Sequence, residues 1–393
     1  MEASARTPRL TATHRRDARV TALELFFDLV FVLALTQCTA LMAKDPSWQG
    51  LVRALFVLAV LWWSWGGYAW LTSVIDPEEG AVRLAMFAAM AAFLVAALSV
   101  PGAFGDDAFA FACAYGIVRI AHIWLFTLSS RDDPGLRQSV LGLSVGTAIG
   151  VGLLLGASAT DGYVQGGLWA LALLIDVGLP FLFFAEGWRL MTSHFAERHG
   201  LILIIALGES IVAIGVGSDA VVDGGTVLAA TIGVGIAAAM WWLYFDVTVW
   251  LAEDTLARAT PGREQNELAR DAYSLLHFPM VAGIVLAALG LKSTLAHVDE
   301  PLERIPAIAL LGGVALYLLA HVGFKLRTSR ALSESRLAGA IGLLLLYPLV
   351  VEVRSLVAVT LVLAVLCAVI AYEFVRYAET RREVRSQIHE AHG

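Results

Sequence analysis

Charge is scarce in this chain. Only 16% of its 393 residues are Asp, Glu, Lys or Arg, against roughly 25% in soluble domains. Counted with Gly in and Tyr out, about 66% of the residues are apolar, against roughly 45–50% in soluble domains, which excludes a soluble globule. Cysteine is nearly absent. Cys38, Cys113 and Cys367 lie in apolar runs without a CxxC, so they read as small core residues and exclude a disulfide framework. Also missing are HExxH, GxSxG and Walker sequences, and the pairs Gly150/Gly152 and Gly233/Gly235 fall inside apolar runs, as helix-packing glycines do. His194 and His199 are five apart, a poor spacing for one metal, and His389 and His392 sit in a polar tail. No catalytic residue, metal site or cofactor is expected. The net charge of −7 implies no nucleic-acid partner, because in a membrane protein the distribution of Lys and Arg carries the information.

What the chain has is length without charge. Runs of about 20 apolar residues match a hydrocarbon core of about 30 Å, and the ten-residue alternation of a transmembrane barrel is absent. The expected fold is an all-α polytopic membrane protein of about twelve transmembrane helices, with the lipid bilayer as its partner. Its spans are 21–42, 50–75, 81–100, 108–129, 137–157, 163–187, 199–217, 225–251, 270–291, 305–326, 336–351 and 355–376. The eleventh is short and contains Pro348. Pro- and Gly-bearing joints separate the spans, such as Asp132-Asp133-Pro134-Gly135 and Pro261-Gly262. The first span keeps Glu24 and Asp28 and lacks a cleavage site, so it reads as an uncleaved helix.

Counting positive residues on alternate sides places 21 of the 27 with the N-terminus, five opposite it (Lys44, Arg53, Lys292, Arg304, Arg354) and Arg119 within a span. That asymmetry predicts both termini in the cytoplasm.

The halves resemble each other. Trp62-Trp63 in span two parallels Trp241-Trp242 in span eight, and Ala121-His122 precedes Ala320-His321 by 199 residues, an offset shared by Arg137 and Arg336. Glu186/Arg189 and Glu373/Arg376 close spans six and twelve. The expected organisation is a basic tail over 1–20, six-helix repeats over 21–189 and 190–376 in parallel orientation, and a charged, solvated helical tail over 377–393.

Ionisable groups inside a membrane cost about 2.5–3.5 kcal/mol each on insertion scales and are functional candidates by default. Here they are Glu24, Asp28, Arg119, His122, Asp176, Glu209, Asp246, His277 and His321. By residue count Arg119, Asp176 and Glu209 lie near mid-membrane, and the others one to two turns inside the cytoplasmic edge. They form either a polar pathway for a proton, small cation or small solute, or buried pairs that hold helices together, for instance Arg119 with Asp176 or Glu209. The Trp-rich faces of spans two and eight read as packing surfaces before an aromatic-lined cavity.

The run Thr21-Ala22-Leu23-Glu24-Leu25-Phe26-Phe27-Asp28-Leu29-Val30-Phe31, then Ala34-Leu35-Thr36-Gln37, resembles the bacterial low temperature requirement protein A family. So do Glu197-Arg198-His199-Gly200, Ala206-Leu207-Gly208-Glu209-Ser210 and Trp241-Trp242-Leu243-Tyr244-Phe245-Asp246. The resemblance implies a multi-pass bacterial inner-membrane protein tied to growth in the cold, and carries over no catalytic residue. Phe26-Phe27-Asp28 is also remotely similar to the Phe-Ser-Asp element of a lysosomal potassium-channel family, with Phe27 in place of Ser. The expected function is a permease or channel. A membrane-embedded enzyme or lipid-handling protein, and a non-transporting stress or assembly factor, are the alternatives.

Overall fold

The computed structural model describes residues 19–130, 133–183, 188, 190–216, 223–379 and 381–382. Most of the basic tail, Arg131, Glu186, Arg189, His389 and His392 lie outside them. The described residues are helical, with a lone bridge between Pro301 and Arg354 in place of any sheet. The helices are α1 (Ala22–Lys44), α2 (Trp48–Thr72), α3 (Gly80–Leu98), α4 (Ala108–Ser129), α5 (Pro134–Ala157), α6 (Gly162–Phe183), α7 (Thr192–Val216), α8 (Gly224–Phe245), α9 (Thr248–Arg258), α10 (Arg263–Leu268), α11 (His277–Ala296), α12 (Arg304–Ser329), α13 (Glu334–Leu345), α14 (Tyr347–Val350) and α15 (Ser355–Arg376). Among the described residues, 10 helical stretches are long and apolar enough to cross a membrane.

Local chemistry sets the helix ends. Thr21 and Glu24 form a reciprocal capping box, with Glu24 Oε2 accepting from the Thr21 N–H at 2.8 Å and Thr21 Oγ1 accepting from the Glu24 N–H at 3.3 Å. Asp133 caps α5 by accepting from Leu136 N–H at 3.1 Å, ahead of Pro134. Asp223 caps α8 through Thr226 N–H at 2.7 Å, and that bond holds its carboxyl below the usual carboxylate range. Arg330, at φ 53°, ends α12 in the left-handed region.

The apolar runs of the sequence conceal three interruptions. Span eight divides into α8 and α9 around Asp246-Val247. Span nine is entered through α10 and a π-helical turn, Ala269–Leu275. Span eleven breaks at Leu346 into a 12-residue and a 4-residue helix, the second with Pro348 in its first turn. α7 begins at Thr192, seven residues before the expected span.

The chain forms two compact units. The first holds residues up to Ala34, Ala59–Phe195 and Pro261–Arg263. Its core is aromatic: Phe27, Phe31, Trp65, Tyr68, Phe93, Phe111 and Phe126 are all buried. Phe31 lies 6.1 Å from Trp65 and 5.9 Å from Phe93 between ring centres. Trp70 packs on Phe195 and Trp188. Of the α2 tryptophans, Trp62 and Trp65 are thus core residues in this unit, whereas Trp48 at the start of the helix is exposed.

The second unit holds Leu35–Leu58, Ala196–Thr260 and Glu264–Gly393. Its centre is the α11–α12 pair, which approaches backbone to backbone. A Cβ at Gly313 would stand 2.6 Å from both Ala287 N and Gly283 O, and one at Gly283 would stand 2.5 Å from Gly313 O. Only glycine permits that separation. Large apolar side chains such as Leu84, Phe109, Ile120, Leu141, Leu174 and Leu345 are exposed, as expected of helices whose outer solvent is lipid.

Candidate functional site

Every ionisable residue singled out from the sequence is buried or nearly so in its own unit. In the first unit Glu24 and Asp28 share one face of α1 and are both fully buried. His194 Nε2 lies 2.8 Å from Glu24 Oε1. Trp65 Nε1–H donates to Asp28 Oδ1 at 2.7 Å. Next to Asp28 in the sequence, Phe27 packs at a tilt against Tyr68, 4.8 Å away between ring centres, and the Tyr68 ring centre is 5.2 Å from His122. His122 is 1% exposed, lies between Tyr68 and Phe126, and neither ring nitrogen meets the geometry of a hydrogen bond with any of the described residues. Gly67 makes room for it, since a Cβ there would be 2.7 Å from the imidazole Cε1.

Arg119 and Asp176 form a separate knot. Asp176 accepts from Arg119 Nη2 at 2.9 Å, Thr147 Oγ1 at 3.0 Å and Tyr115 Oη at 2.6 Å. The arginine also donates to Thr147 Oγ1 at 2.6 Å. Three donors from α4 and α5 satisfy one carboxylate on α6. A buried pair supported this well is a helix clamp, and breaking it leaves an uncompensated charge. Of the two partners the sequence allowed for Arg119, the pair is made with Asp176.

In the second unit the imidazoles lie among tyrosines. His277 Nδ1–H donates to the Ala272 carbonyl at 3.0 Å, within the π-helical turn, and Nε2 accepts from Tyr244 Oη at 2.8 Å. A carbonyl only accepts, so Nδ1 carries a proton, and in the neutral ring Nε2 is the acceptor for the tyrosine O–H. His277 stacks on Tyr273 at 5.2 Å and meets His199 edge-on at 5.2 Å. His321 is 5.7 Å from Tyr244 and 4.5 Å from Tyr317 between ring centres. Its Nδ1 accepts from Arg336 Nη1 at 2.7 Å, which places its proton on Nε2, where no acceptor lies among the described residues. Arg336 in turn clasps Glu373. Asp246 pairs with Arg381 at 2.6 Å. Arg381 was expected on a solvated tail. It is 8% exposed instead, because Asp246 at the α8–α9 break and the Phe374 ring, 4.7 Å away, draw it in.

Glu209 stands apart. It is 2% exposed in α7, and among the described residues it accepts one hydrogen bond, from Thr36 Oγ1 at 2.6 Å, while its Oε1 has no partner. Lys292 lies within electrostatic reach. Lys292 also lines a cavity of about 310 Å³ with Ala43, Ser293, His297 and Glu300. Along α7, the ten residues between His199 and Glu209 span about 15 Å. The intervening Ile202, Leu203 and Ala206 are buried and apolar. No group of three or more His, Cys, Asp or Glu placed to hold a metal occurs among the described residues.

The nine sequence candidates therefore do not meet at one point within either unit. Among the described residues they fall into a histidine–tyrosine cluster, an Arg–Asp clamp, several two-residue pairs, and Glu209 with its single hydroxyl donor. The sequence profile of the bacterial low temperature requirement A protein matches residues 19–371. The chain belongs to that family. This LtrA-family protein is 29% identical over 371 residues to an uncharacterized protein of Rhizobium meliloti (strain 1021), covering 91% of this chain and 90% of the other. No solved structure matches it.

Sequence reasoning about this LtrA protein missed the partners more than the charges. Thr36, Trp65 and Tyr244 give no signal, because hydroxyls and aromatics are common in packed helices. His194 was legible only as a poor metal ligand. Arg336 and Glu373 were visible as matches between the halves, and the structure shows them bonded to each other.

Proposed function

We propose that this LtrA-family protein is a permease or channel that moves a proton, small cation or small solute across the bacterial inner membrane, with Glu209 as its proton-coupling group. The observation that carries this reading is the Glu209 carboxyl, buried in α7 with one oxygen bonded to Thr36 and the other unpartnered. A purely structural acid is surrounded by donors, as Asp176 is by Arg119, Thr147 and Tyr115. Glu209 keeps an open acceptor instead, which a proton or cation can occupy in turn. The imidazole of His277 supplies a further group able to take a proton, since its Nε2 faces the Tyr244 hydroxyl, which can turn from donor to acceptor.

In this reading the chain has twelve spans in two six-helix repeats, residues 21–189 and 190–376, with both termini cytoplasmic. Support comes from the 21 positive residues on one side against five, and from the 25-residue α7 and the broken α13–α14 segment at the two places where spans were expected.

The test is flux in proteoliposomes across a range of pH, with thermal stability measured on the same preparations. Glu209→Gln retains a carbonyl that accepts from Thr36, so the fold is expected to survive with an unchanged melting temperature while pH-dependent flux is lost. Flux and stability both equal to wild type would remove Glu209 from the mechanism.

A further inference from the structure

Where α8 gives way to α9, and within the second unit, a cavity of about 270 Å³ opens beside the C-terminal end of α12, the start of α13 and the end of α15. Five charged side chains line it, the cations Lys325, Arg336 and Arg381 and the acids Asp246 and Glu373, for a net charge of +1. Both acids are already engaged. Glu373 takes two hydrogen bonds from Arg336, and Asp246 is paired with Arg381 Nη2.

Two of the cations are not fully used. Lys325 makes no close ion pair among the described residues, although Glu373 is within electrostatic reach, and its Nζ lies 5.6 Å from the centre of the Tyr377 ring. Arg381 is 8% exposed, yet its Nε and Nη1 have no hydrogen-bond partner among the described residues. Buried guanidinium nitrogens without acceptors are costly, and the cost is relieved by an anion. Trp242, Leu251 and Ile370 supply an apolar wall to the same cavity.

We infer that this cavity binds a phosphate-bearing anion, with Lys325 and Arg381 donating to its oxygens. A metal cation finds no carboxylate to spare here. A phosphate oxyanion presents several acceptors, which suits a lysine and an arginine fork arriving from different helices. Basic cavities between helices at the membrane edge take this group either from an anionic lipid headgroup or from free phosphate. The site is independent of Glu209 and of transport.

The experiment is a melting-temperature titration of the purified full-length protein in detergent. One arm adds sodium phosphate against sodium chloride at equal ionic strength, and the other adds short-chain phosphatidylglycerol against short-chain phosphatidylcholine. Stabilisation by phosphate assigns the free anion, and stabilisation by phosphatidylglycerol alone assigns the headgroup. In either case Lys325→Gln is expected to raise the half-saturating concentration about tenfold, the equivalent of one charge-assisted hydrogen bond. Lys325→Arg should restore binding, and Lys44→Gln, on an exposed lysine at the end of α1, should leave it unchanged. Reading the half-saturating concentration makes any change in starting stability irrelevant. The inference is overturned if neither probe stabilises the protein above its control, or if Lys325→Gln binds like wild type.

Discussion

Arg336 holds Glu373 with two parallel hydrogen bonds, Nε to Oε1 at 2.9 Å and Nη2 to Oε2 at 3.0 Å, and turns its remaining nitrogen to His321 Nδ1 at 2.7 Å. One guanidinium therefore ties α13 to α15 and fixes the tautomer of a histidine on α12. Ser335 Oγ adds a third donor to Glu373 at 2.7 Å. This two-pronged geometry confers directional strength that a lysine could not reproduce.

The first prediction concerns that pair. Glu373→Gln leaves Arg336 charged and buried, and should lower unfolding stability by about 3–5 kcal/mol. The double replacement Arg336→Met with Glu373→Leu should recover most of the loss, since apolar residues of similar volume carry no desolvation penalty. Thermal unfolding in detergent measures both. A Glu373→Gln protein that melts at the wild-type temperature would show that the pair contributes nothing.

A contrast between neighbouring glycines tests the α11–α12 contact. At Gly313 a Cβ would stand 2.6 Å from backbone atoms of α11, which cannot move aside independently, whereas at Gly312 the nearest atom is 4.0 Å away. Gly313→Ala should therefore cost about 1–3 kcal/mol as an overpacked site. Gly312→Ala should be neutral or stabilising by about 0.5–1 kcal/mol through the reduced entropy of the unfolded chain. Equal melting temperatures for the two variants would contradict the close approach.

Topology is testable by cysteine accessibility in a background lacking Cys38, Cys113 and Cys367. Single cysteines at positions 106 and 223 should react with an impermeant reagent from the periplasm, and those at 133 and 262 only after permeabilisation. This follows from the distribution of arginine and lysine. Labelling of position 133 from the periplasm would reverse or break the proposed orientation.

Much of the architecture was legible because hydrocarbon imposes a coarse rule: a segment that crosses it must be apolar for about 20 residues and must satisfy its own backbone. α1 to α6 begin and end within a few residues of the expected spans for that reason. Where hydropathy is continuous but the backbone is not, the sequence misled. The α8–α9 break, the π-helical turn before His277 and the division of span eleven all lie inside runs that a hydropathy count joins. Pro348 at the start of α14 accounts for the division of span eleven, and at the α8–α9 break Asp246 pairs with Arg381.

The sequence alone determined that this protein is helical and membrane-spanning, which residues carry charge at depth, and that their cost demands compensation, because transfer free energy depends on residue type and run length. Only the tertiary structure decided who compensates whom. Asp176 is satisfied by three donors, Glu373 by a guanidinium fork and Glu24 by His194, while among the described residues Glu209 keeps an oxygen without a partner and Lys325 makes no close ion pair. Those distinctions rest on directional contacts of about 3 Å between residues tens to hundreds of positions apart. Composition and periodicity report the depth of a group along its own helix, and are silent on the neighbouring helix that faces it.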